Sequence, residues 1–128
     1  MPAPSDPLGI LLLSGSHDRA HYAFIMAAGA AALGREVVLF ASNAGCHALA
    51  ADWSGLDDAG RDAVAIARGV AGLGELRDAA TEFGVRMIAC EAGLRMAPLA
   101  ASSLLPGVEV AGIATFLAAV GGGQIVSL

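Results

Sequence analysis

The sequence predicts a single α/β domain: a mainly parallel sheet of four to five short strands with helices on both faces. Three observations lead there. Apolar runs, Leu8 to Leu13, Val37 to Ala41 and, broken only by Arg86, Val85 to Cys90, read as strands buried on both sides. The stretches between them carry apolar residues at helical spacing and end on glycine, at Gly34 and Gly84. Strands and helices then alternate along the chain, the pattern of βαβ units. A length of 128 residues suits one domain, residues 1–128, with its own core and no linker or repeat dividing it.

Each element has a local reason. Pro7 and Ser14-Gly15-Ser16 bound the first strand. Ser16 or Asp18 caps a helix that is nearly all apolar after His21 and stops at Gly34. Val37 to Ala41 is the parallel partner strand, and Ser42 to His47 is the loop at its end. Residues 52–69 differ in character: Asp52, Asp57, Asp58, Arg61, Asp62 and Arg68 surround the lone tryptophan, Trp53. This reads as an exposed insertion, helical over Asp58 to Ala67. Leu73, Leu76, Ala80 and Phe83 form the next helical stripe, and the strand ending at Cys90 follows. After Cys90 comes a short helix, a break near Pro98 and a second helical turn or two to Leu105. Val108 to Val110 is a short strand, Ile113 to Val120 a helix, and Gln124 to Leu128 a last strand.

Composition excludes several classes. The net charge is −5, and all seven basic residues are arginines spread along the chain, so no basic stripe exists for nucleic acid or an anionic membrane. Val110 to Leu128 is uncharged, but Gly121-Gly122-Gly123-Gln124 breaks it, so it reads as helix, turn and strand rather than a membrane span. The proline-containing start, Met1 to Pro7, lacks the basic segment of a signal peptide. Two cysteines suit a reducing compartment, so a cytoplasmic location is expected.

Chemistry is expected at the C-terminal edge of the sheet, where open α/β sheets place their ligands. That edge, formed by the loops after the first three strands and the helix start that follows the first, gathers both cysteines and all three histidines. Cys90 is the leading candidate, because a thiol between a strand end and a helix start is favoured as thiolate. Glu91 opposes that charge, and Arg95 one turn on offsets it. Ser14, Gly15, Ser16 and His17 offer amides for an anion, without the G-x-G-x-x-G pattern of a dinucleotide site. Cys46 is a potential redox neighbour if its loop meets that of Cys90. His17 and His21 share a helix face, but no metal-binding spacing supports a metal, and no cofactor is indicated.

Taken in order, several stretches resemble the DsrE/DsrF-like family of sulfur-relay proteins. They are Leu12-Leu13-Ser14-Gly15, Gly34 to Phe40, Gly72 to Arg77 with Phe83-Gly84-Val85, Ile88-Ala89-Cys90-Glu91-Ala92-Gly93-Leu94-Arg95, and Val108 to Phe116. Residues 52–69 stand outside the resemblance. It implies a DsrEFH-like fold, assembly into trimers or hexamers, and a persulfide carried on the cysteine that Cys90 matches. The expected function is a sulfur carrier or sulfurtransferase, with small sulfur-carrier or rhodanese-like proteins as partners. Ser14 to His17 would steady the anionic sulfur. A role for Cys46 is not part of the resemblance. The alternative is an oligomeric module that binds a small ligand or metal without catalysis. Donor, acceptor and pathway stay open.

Overall fold

A computed structural model describes residues 6–128; the expectation for Met1 to Pro7 therefore falls largely outside the described residues. Five strands form one sheet in the order β4-β3-β2-β1-β5, and every neighbouring pair is parallel. The strands are β1 (Leu8–Leu12), β2 (Val37–Ala41), β3 (Arg86–Cys90), β4 (Glu109–Ala111) and β5 (Gln124–Ser127). The helices are α1 (His17–Ala32), α2 (Arg61–Ala67), α3 (Leu73–Glu82), α4 (Glu91–Met96) and α5 (Ile113–Val120).

Side-chain alternation along the strands splits the core in two. Val37, Leu39 and Ala41 of β2 join Met87 and Ala89 of β3 in the larger cluster, beneath Ala20, Ala23, Phe24 and Ala27 of α1 and Leu73 and Ala80 of α3. Val38, Phe40, Ile88 and Cys90 face the other way, against Phe116 and Val120 of α5. The rings of Phe40 and Phe116 stack with centroids 5.0 Å apart. Gly9 makes this close approach possible: a Cβ there would lie 2.5 Å from Val120 Cγ2 and 2.9 Å from Phe116 Cζ.

α1 forms as its sequence predicts. Ser16 caps it by accepting from the Arg19 amide at 3.3 Å, Asp18 sits in its first turn, and Gly34 turns the chain away at φ +89°. Small alanines on its buried stripe let it lie close on the sheet. Two expectations needed adjustment. Ser42 to His47 is not plain loop, because Asn43–Leu49 winds into a 3₁₀ helix. The segment after Pro98 makes only a 3₁₀ turn, Ala101–Ser103, since proline supplies no amide to continue α4. Val110 to Leu128 falls into β4, α5 and β5. Among the described residues no helix is long and apolar enough to cross a membrane.

Residues 52–69 lie on the α1 side of the sheet. Only Leu56 and Asp62 among them are buried. Asp62 turns inward even though it comes from the most charged run of the chain.

Candidate functional site

Cys90 is the last residue of β3 and the residue before the first turn of α4, with φ −66° and ψ 125°. It pairs in register with Ala111 of β4 and is 8% exposed. Its sulfur faces α5, on the same side as Ile88 and Phe40. α4 is set against the 3₁₀ segment through Gly93. A Cβ on that residue would stand 2.5 Å from the Asn43 amide nitrogen and 2.7 Å from Ser42 Oγ. Asn43 itself takes a left-handed φ of 51° at the start of that segment. The turn that presents Cys90 is thus fixed by direct backbone packing.

The charged groups beside Cys90 cancel one another. Arg95 Nη2 lies 3.6 Å from Glu91 Oε1, with both side chains largely in water. Such a pair contributes little to stability and adds little net field at the sulfur.

Cys46 lies close by but is a different kind of thiol. It is fully buried, packs on the α1 side of the sheet and donates its S–H to the Ala41 carbonyl at 3.5 Å. Burial pushes its pKa up to about 11, and the neighbouring Cys90 adds to that rise. It stays a neutral thiol at physiological pH. Both cysteines are free, and their side chains belong to core clusters on opposite faces of the sheet.

The β1–α1 turn is two strands away from Cys90. Several of its amides have partners within the chain. The Ser16 amide donates to Ser14 Oγ at 3.1 Å, and the His17 amide donates to the Asp57 carbonyl at 2.9 Å. The Gly15 carbonyl accepts from the Asp57 amide at 2.8 Å. Of the amides expected to hold an anion at Ser14 to His17, that of His17 is thus turned onto the 52–69 stretch and that of Ser16 onto the turn itself. Gly15 also packs against Ala44, where a Cβ would come within 2.6 Å of the Ala44 Cβ. The crevice between β1 and β5, where strand order reverses, is bridged by Leu128, whose carbonyl accepts from the Leu13 amide at 2.9 Å.

His17 is 2% exposed and pairs with Asp62, Nε2 to Oδ1 at 2.8 Å. Its ring stacks on His21 at 5.2 Å and lies tilted to Trp53 at 6.1 Å. Sequence reasoning missed Asp62. No periodicity distinguishes it from the solvated aspartates around it. Among the described residues no group of three or more His, Cys, Asp or Glu side chains converges as a metal site.

A parallel α/β domain with a shielded cysteine closing an interior strand is the class that fold and site define. A protein of unknown function from Methanobacterium thermoautotrophicum shares the fold, with a TM-score of 0.69 at 17% identity, over 97% of this chain and 100% of its own. Residues 50–126 match the DsrE/DsrF/DrsH-like family, and the chain belongs to it. The match runs through residues 52–69, which the sequence resemblance had left aside. No curated protein matches the chain.

Proposed function

We propose that this protein is a sulfur carrier that holds a persulfide on Cys90 and passes it to a partner thiol. The observation that carries the reading is the position of Cys90: the end of an interior strand, at the start of a helix, in a member of a sulfur-relay-type family. The Cys90 thiolate attacks the outer sulfur of a donor persulfide. A new S–S bond forms, the donor's own S–S bond breaks, and the donor leaves as thiolate. An acceptor thiolate then attacks the same outer sulfur and releases Cys90 as thiolate. The exchange is redox-neutral and needs no cofactor.

A Cys90 that is 8% exposed favours transfer inside a docked complex over reaction with free thiols in solution. Small carrier or rhodanese-like proteins fit that requirement in a reducing, cytoplasmic setting. Self-association belongs to the same proposal. In the uncharged stretch from Met96 to Leu105, Leu99 and Leu104 pack partly against the chain's own core. Ile113 and Leu117 of α5 and Ile125 of β5 remain 49%, 49% and 43% exposed, so we place the contact between copies on the α5 face. Mass spectrometry after polysulfide treatment tests the carrier reading: sulfur added to Cys90 supports it. Sedimentation equilibrium tests the assembly: a stable monomer at low micromolar concentration would overturn it.

A further inference from the structure

Residues 58–69 sit on the domain in an unusual way. Every backbone hydrogen bond recorded for them closes within that stretch or its immediate continuation at Val70. Asp62 is the one buried side chain among them. Left-handed residues stand at both ends, Asp58 at φ 59° and Gly69 at φ 76°. The chain before them is anchored by Leu56 and by the backbone pairing of Asp57 with Gly15 and His17. The chain after them is anchored by Leu73, which is fully buried.

Polar clips join the stretch to α1. Arg61 and Asp18 pair at 2.8 Å in water, where such a contact is weak. His21 Nε2 donates to the Ala71 carbonyl at 2.7 Å, beyond the second left-handed residue. The strong clip is Asp62: its Oδ1 accepts from His17 Nε2 and from the Leu73 amide, each at 2.8 Å. Since Oδ1 accepts both, His17 carries a proton on Nε2. Nδ1 is left buried without a partner among the described residues. Between α1 and α2 lies a cavity of about 160 Å³ lined by His17, His21, Arg61, Arg68, Val64 and Val70. α2 therefore spans α1 across a gap, latched by one carboxylate.

We propose that residues 58–69 form a hinged strap. It is latched by Asp62, turns at Asp58 and Gly69, and opens as a unit on an otherwise folded domain. Opening breaks the contacts of Asp62 with His17 and Leu73 and brings the His17 imidazole, with its unpartnered Nδ1, to water. Closed, the same imidazole is shut off from solvent. The proposal is independent of the chemistry at Cys90, which lies on the opposite side of the sheet.

Hydrogen exchange on the full chain tests it, together with modification of histidines by diethyl pyrocarbonate. A helix of seven residues does not persist once detached, so opening unwinds α2 and exposes its amides. In the wild type, amides of residues 61–69 exchange together and faster than those of β1, β2 and β3, through an opening that leaves the sheet protected. In Asp62→Ala, exchange in the strap rises about tenfold or more, as expected for loss of a buried hydrogen bond to a charged group. Exchange in the sheet stays the same, and His17 becomes modified in step with the strap. Arg61→Ala changes neither appreciably. If the strap exchanges only with the sheet, no separate opening exists. If it exchanges fast while His17 stays shielded, α2 merely frays; either result overturns the proposal. Should Asp62→Ala fail to fold, the wild-type comparison of strap, sheet and His17 decides alone.

Discussion

Replacing Gly93 by alanine should destabilise the fold and change the reactivity of Cys90 together. Two effects of opposite sign compete. Alanine is the better helix former by about 1 kcal/mol in a helix interior, and less in a first turn. Against that, its Cβ would stand 2.5 Å from the Asn43 nitrogen and 2.8 Å from the Ser42 Cα. Ordinary contacts of carbon with a neighbouring heavy atom lie near 3.5–4.0 Å, so roughly 1 Å of separation must be found. The obstructing atoms are mainly backbone, so no side-chain rotation relieves them. Overpacking of this kind costs about 1–3 kcal/mol, which outweighs the helix gain. α4 must lift from the 3₁₀ segment, and Cys90 moves with its first turn. The assay is urea unfolding of wild type and Gly93→Ala, with Cys90 alkylation rate measured on both. An unchanged or raised urea midpoint would refute the packing argument. A lowered midpoint with an unchanged alkylation rate would refute the link to Cys90.

Gly29→Ala is the matched control: Gly29 lies within α1, nothing approaches within 4 Å of its would-be Cβ, and the change should stabilise by about 1 kcal/mol in the same urea assay. Native protein at pH 8 should lose only Cys90 to an alkylating reagent, with Cys46 reacting on unfolding, because burial holds the Cys46 thiol at about 11; peptide mapping of the labelled protein checks this. Glu109→Gln should cost less than about 1 kcal/mol near neutral pH, since its pairing with Arg86 at 2.6 Å is half in water. The Arg86 guanidinium holds the Glu109 carboxyl below its usual range. The contribution of the pair is therefore complete above the unfolded carboxylate pKa and fades as pH falls through the lower folded value. Urea midpoints of wild type and variant should converge in acid; a gap that widens there contradicts the assignment.

The parts of the fold legible in the sequence are those set by local physics. Val37 to Ala41 is a strand with the predicted ends because five consecutive apolar residues can be buried only between two layers. Gly34 and Gly84 end helices because both take a left-handed φ. Cys90 at the end of β3 follows from the same reasoning. What the sequence did not reveal depends on distant partners. The face to which Cys90 points depends on strand register and on α5 packing over Gly9. The Ser14 to His17 turn looked like a free set of amides, but Asp57, far along the chain, occupies part of it. Asp62 stood among aspartates that face water, and only the fold brings His17 and Leu73 to it.

The central claim is that Cys90 carries sulfur. Its most direct test is intact-mass spectrometry of wild type, Cys90→Ser and Cys46→Ser after brief polysulfide treatment and removal of excess reagent. The account predicts added sulfur, removable by a reductant, on wild type and Cys46→Ser and none on Cys90→Ser. Added sulfur that survives in Cys90→Ser, or wild type that takes up none, would contradict it.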